Sequence, residues 1–154
     1  MKISIGVILI VTGIISCGTA TQSNDSKQAS VPITGTWKLL SGTLIEKGDT
    51  TVTDYTKTQS FIKIINNSHF AFLLHDLKNG KDSSAIFSSG GGSYSLKDSL
   101  YTEHLEYCSD RQWEGHDFPF TITIQNDTLT QKGIEKIEKI GVDRINIERY
   151  VRVK

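Results

Sequence analysis

Tyr101-Thr102-Glu103-His104-Leu105-Glu106-Tyr107-Cys108 alternates two chemistries along one short stretch. With the period-two geometry of a strand, Tyr101, Glu103, Leu105 and Tyr107 share one face, and Thr102, His104, Glu106 and Cys108 share the other. A carboxylate set among apolar and aromatic side chains is costly to bury unless it is paired or hydrogen-bonded. Glu103 therefore has either a protein partner or a ligand. Asp98-Ser99 reads as a two-residue hairpin turn, which sets Leu96 opposite Tyr101 and Tyr94 opposite Glu103. Tyr94, Tyr101, Glu103 and Tyr107 are then the candidate ligand contacts, since apolar walls with few polar groups suit the orienting of a small molecule. The same face also fits a structural bond closing the barrel interior, from a tyrosine hydroxyl to Glu103 or between Glu103 and Arg149 or Arg152. Acid–base catalysis needs a second positioned group. None stands at a fixed spacing, so a non-catalytic site is expected.

The remaining chemistry-bearing residues say less. His104 and Glu106 stand two apart on one strand face, a spacing that can chelate a metal. No two histidines share a short spacing, so no metal and no cofactor are expected. Gly90-Gly91-Gly92 lacks the Lys-Ser/Thr and the helix that a phosphate loop needs, and reads as a bulge or close backbone crossing. Asp49-Thr50-Thr51, Asp98-Ser99-Leu100 and Asp127-Thr128-Leu129 resemble acceptor triplets for O-glycosylation, but Asp before Ser or Thr is first of all ordinary turn chemistry.

The elements that must carry these residues are strands. Runs rich in Val, Ile, Thr, Phe and Tyr occur at 37–45, 60–65, 69–75, 84–88, 93–97, 100–108, 120–125, 128–132 and 144–153, with turn residues between them. Residues 50–58 read as a polar irregular piece. Residues 134–140 have an Ile spacing that suits a single helical turn, and fit irregular structure or an outlying strand equally well. Strands joined by such short connections predict an all-β fold, an antiparallel up-and-down barrel or sandwich of about 8–10 strands.

The front of the chain reads differently. Residues 1–16 have one lysine, an apolar run from Ile3 to Ile15 and small residues at the end, the pattern of an export signal. Ile14-Ile15-Ser16-Cys17 resembles a bacterial lipobox, in which the cysteine is lipidated and becomes the first mature residue. That implies a palmitate-bearing lipoprotein anchored in a membrane through Cys17. Residues 17–31 are small and polar, a tether with a reach of roughly 20 Å, and residues 32–154 form the folded domain. Without Lys2, 16 of the 17 basic residues remain against 17 acidic ones. A chain so balanced offers no footprint for nucleic acid. Cys108 is then the leftover thiol and is expected to be buried as a small apolar residue.

Val31-Pro32-Ile33-Thr34-Gly35-Thr36-Trp37 places a G-x-W at the entrance to the first strand. This resembles the opening of lipocalins and other calycins, where the tryptophan closes one barrel end beneath an arginine of the last strand. Gly35, Trp37 and Arg152 would take those roles here, with Tyr150 where related sequences carry a second tryptophan. Ser68–Phe72, Gly90–Leu96 and Tyr101–Tyr107 together resemble an exported bacterial lipocalin-like family without an assigned biochemical function. Leu100 and Cys108 depart from that family's pattern. Together with the lipobox and the Tyr/Glu-bearing face, the resemblance implies a lipid-anchored barrel of the cell envelope with a small, largely apolar ligand in its cup. Gly18 after the cysteine, with no acidic run following, resembles a sorting signal for the outer membrane facing the periplasm. The alternative is a filled barrel serving as a structural lipoprotein for another envelope protein, with an exposed apolar patch around Trp113 and Phe118.

Overall fold

The structure is a computed structural model that describes residues 32–154; the leader, Cys17 and the tether lie outside the described residues. Nine strands follow one another: β1 Gly35–Glu46, β2 Asp49–Asp54, β3 Gln59–Ile65, β4 His69–Asp76, β5 Phe87–Lys97, β6 Leu100–Cys108, β7 His116–Gln125, β8 Thr128–Ile137 and β9 Val142–Arg152. Each of β3 to β9 pairs antiparallel with the next, and β9 returns to β1. The result is the expected up-and-down barrel, closed by eight strands, with β2 laid against the far half of β1. Closure removes the free edges that an open sheet would expose.

Tight turns set the register. Glu46 pairs with Asp49 across Lys47-Gly48, Lys97 with Leu100 across Asp98-Ser99, and Gln125 with Thr128 across Asn126-Asp127. Lys47, Asp98 and Asn126 all hold φ between 52° and 56°, the left-handed region that two-residue hairpins use. The longer excursion between β4 and β5 is organised by Asp76. Its carboxylate accepts from the amides of Lys78, Gly80 and Ile86.

Three expectations are corrected. Residues 50–58 are not irregular throughout, because β2 runs through them. Its side chains are mostly exposed on both faces, so no apolar alternation marks it. The runs at 84–88 and 93–97 are not two strands. Gly90 to Gly92 keep their ladder partners on β4, and a single β5 results. Residues 134–137 complete β8, and a 3₁₀ turn, Glu138–Ile140, follows.

Two bulges re-aim side chains. On β6, Leu105 pairs with Gly92 and Tyr107 with Gly91, leaving Glu106 as the extra residue. On β1, Leu39 and Ser41 pair with consecutive residues of β9, leaving Leu40 extra. An extra residue reverses which positions face inward beyond it. Gly92 lies beside the β6 bulge, and a Cβ there would come within 1.9 Å of the His104 carbonyl oxygen. No other residue type fits.

One barrel end is packed solid. Trp37 and Tyr150 are fully buried there with Leu39, Ile65, Ile122 and Leu129. The Trp37 indole donates to the Ile33 carbonyl at 2.7 Å. The Arg152 guanidinium lies 4.1 Å from the Trp37 ring and donates to the carbonyls of Thr34 and Pro32. Gly35, at φ 138°, passes so close that a Cβ would sit 2.6 Å from the guanidinium. The glycine is needed for both its conformation and its missing side chain.

Candidate functional site

Above this sealed end the barrel is hollow. A cavity of about 350 Å³ opens at the opposite end, between Tyr55, the loop carrying Asp110 and Trp113, and Arg144. Strand alternation brings the walls inward: Phe61 from β3, Phe72 from β4, Leu105 from β6, and Phe118 and Phe120 from β7. Beyond its bulge β1 contributes Gly42 and Leu44, and β6 contributes Cys108. Phe61 stacks on Phe72 with ring centroids 5.6 Å apart, and Tyr55 meets Phe61 edge-on. Trp113 leans on Phe118, and the Arg144 guanidinium lies 5.0 Å over the Trp113 ring.

The floor is charged. Lys63 Nζ donates to Glu103 Oε1 at 2.6 Å and to Gln131 Oε1 at 3.1 Å, and lies 3.8 Å from Glu148 Oε2. Glu148 Oε2 also accepts from the Tyr150 hydroxyl at 2.8 Å. A second group sits on the β8–β9 side. Glu135 accepts from Arg144 Nε and from Asn146 Nδ2, each at 2.7 Å. Lys63, Glu103, Gln131, Glu135 and Asn146 are all buried. The Gln131 amide nitrogen and the Tyr101 hydroxyl find no hydrogen-bond partner among the described residues.

Burial and charge shift these groups in opposite directions. Burial raises the Glu103 carboxyl above its ordinary value, and the attraction of Lys63 offsets only part of that rise. Burial also pulls Lys63 down, but Glu103 and Glu148 more than compensate and hold it above its ordinary value. The phenols of Tyr101 and Tyr150 are pushed far up by burial and by the carboxylates beside them, so both stay neutral donors. The floor is thus a fixed ammonium between two carboxyls, one of which binds protons more readily than a free glutamate.

Of the residues singled out in the sequence, Glu103 lines the cavity. Tyr94 pairs with it across the strands, but the Tyr94 hydroxyl turns to the Asn66 carbonyl at the sealed end. Tyr101 packs under the floor, against the Tyr94 ring. Tyr107 is corrected outright. It follows the Glu106 bulge, faces outward and is 68% exposed. Neither Arg149 nor Arg152 pairs with Glu103; its partner is Lys63. Trp113 and Phe118 form no exposed patch, because they line the mouth of the cavity.

Outside the barrel, His104 is 2.6 Å from Asp117, and Glu106 accepts from the Ser93 amide and hydroxyl. Among the described residues no cluster of His, Cys, Asp and Glu is arranged for a metal ion. Cys108 is partly buried, and that burial raises its thiol above the ordinary value, away from the reactive thiolate.

Sequence reasoning missed Lys63, Gln131, Glu135, Arg144, Asn146 and Glu148. The signal was present in the strand alternation. Lys63 lies between Phe61 and Ile65, Gln131 two after Leu129, and Glu148 two before Tyr150. Each is a polar residue standing in the apolar phase of a strand, as Glu103 is. Compared with known proteins, the chain matches no family model and no curated protein.

Proposed function

We propose that this barrel binds a small molecule, with an apolar body between the aromatic walls and a polar head on the charged floor. The observation that carries the reading is the cavity itself: about 350 Å³, open at one end, over buried ionisable groups. Ligand pockets of roughly 300–1,000 Å³ combine apolar walls with a few placed polar groups in this way. The floor amends the expectation of a largely apolar ligand, since the head must satisfy charge. A core filled with side chains, as the structural alternative requires, would leave no such space.

The role is binding without catalysis. Glu103 is engaged by Lys63, and Glu135 by Arg144 and Asn146, an arrangement that fixes and orients. The lipobox-like Cys17 and the tether support a lipid-anchored protein of the cell envelope, in the outer membrane facing the periplasm. Native mass spectrometry of the full chain purified in detergent from its own host tests the reading. A bound small molecule lost on mild activation is expected. Bare protein from every preparation, with no small molecule in its solvent extract, would refute it.

A further inference from the structure

The charges of the floor do not balance. Glu135 is matched by Arg144, leaving Glu103 and Glu148 to share the single ammonium of Lys63. Glu103 is only 7% exposed, so water does little to relieve the surplus. One oxygen of Glu103 takes Lys63 and one of Glu148 takes Tyr150. The second oxygen of Glu148 accepts no hydrogen bond among the described residues. Beside Glu103 the only other donor among the described residues is the Tyr101 hydroxyl, close enough to act on its carboxyl but outside full hydrogen-bond geometry. Phe61, Phe72 and Phe118 line the same cavity as these carboxyls, and the π electrons of aromatic rings attract a cation.

We infer that the cavity selects ligands bearing a protonated amine on an apolar body, with the ammonium seated between Glu103 and Glu148. The inference rests on the binding role proposed above. A second cation makes the floor two against two and supplies further hydrogen-bond donors to these carboxyls. A carboxylate head would instead meet Glu103, Glu135 and Glu148 at close quarters. A neutral head would leave the surplus charge in place.

Calorimetric titration with three matched probes, phenylbutylamine, phenylbutanol and phenylbutyrate, separates the possibilities. At neutral pH the amine is expected to bind about tenfold or more tighter than the alcohol, the difference a charge-assisted hydrogen bond makes. The carboxylate should bind more weakly than the alcohol. In Glu148→Gln, and separately in Glu103→Gln, the amine-to-alcohol ratio should fall toward one. Either folded variant suffices. An alcohol that binds as tightly as the amine, or a ratio that neither variant changes, overturns the inference and leaves the binding role standing. Heat from none of the three probes overturns both.

Discussion

Lys63 Nζ sits 2.6 Å from Glu103 and 3.8 Å from Glu148, so one buried ammonium serves two carboxyls on different strands. The two partners of the short ion pair are therefore not equivalent. Removing the cation strands two acids in the interior. Removing Glu103 leaves Lys63 with Glu148.

The first prediction is that asymmetry. Lys63→Met should cost about 3–5 kcal/mol in urea denaturation at neutral pH, the usual loss when a buried pair is broken from one side. Glu103→Gln keeps the shape, and because burial outweighs Lys63 in setting the Glu103 carboxyl, it should hold or raise the midpoint. A Glu103→Gln loss as large as that of Lys63→Met would make Glu103 a structural ion-pair partner, and the binding role of the floor would fall.

The second concerns pH. The folded protein holds the Glu103 proton above the ordinary value of 4.5. Between that value and the raised one it binds more protons than the unfolded chain, so stability falls as pH rises through the window. Three aspartates held by hydrogen bonds or a lysine act oppositely. Thr56 holds Asp54 down to about 2, the amides of Gly80, Ile86 and Lys78 lower Asp76, and Lys154 lowers Asp127. Their contribution is lost as pH falls below the ordinary aspartate value. Denaturation midpoints should therefore peak near pH 4.5, and Glu103→Gln should lack the decline on the alkaline side. Profiles of the same shape for both proteins would contradict this.

The sealed end gives the third. Arg152→Ala loses two hydrogen bonds from a charged donor and the stacking on Trp37, together about 2–3 kcal/mol. Arg152→Lys should recover little, because an ammonium cannot form the planar fork that reaches both carbonyls. A loss within about 0.5 kcal/mol for Arg152→Ala, the range of ordinary surface changes, would show that the arginine does not close the barrel.

The fourth concerns the anchor. Cys17→Ser should leave the precursor unprocessed or move the protein out of the membrane fraction, since lipid is the proposed attachment. Fractionation of the cells reads the outcome directly. Protein of processed size that remains in the membrane fraction as before would refute lipidation at Cys17.

The strands with one buried face were legible in the sequence, because alternation and tight turns are local signals. The hairpin at Asp98-Ser99 set Tyr94 opposite Glu103 from residue types alone. Tyr107 escaped because nothing local to β6 announces that Glu106 bulges; the cause is Gly92 on the neighbouring strand. β2 escaped because exposed Asp and Thr carry no inward pattern. The partner of Glu103 lies 40 residues away on β3. Only barrel closure brings Lys63, Gln131 and Glu148 to one level, although each shows locally as a polar residue in an apolar phase.

The central claim is that a small molecule enters the open end and rests on the Lys63–Glu103–Glu148 floor. Amide and indole shift mapping by NMR, with phenylbutylamine added to the folded chain, tests it most directly. The account predicts shifts at the Trp113 indole, Gly42, Phe61, Leu105 and the Gln131 side-chain amide, with the Trp37 indole and the Tyr107 amide unmoved. Shifts centred on Tyr107 and Gly91 outside the barrel, or none at the Trp113 indole at saturating amine, would contradict it.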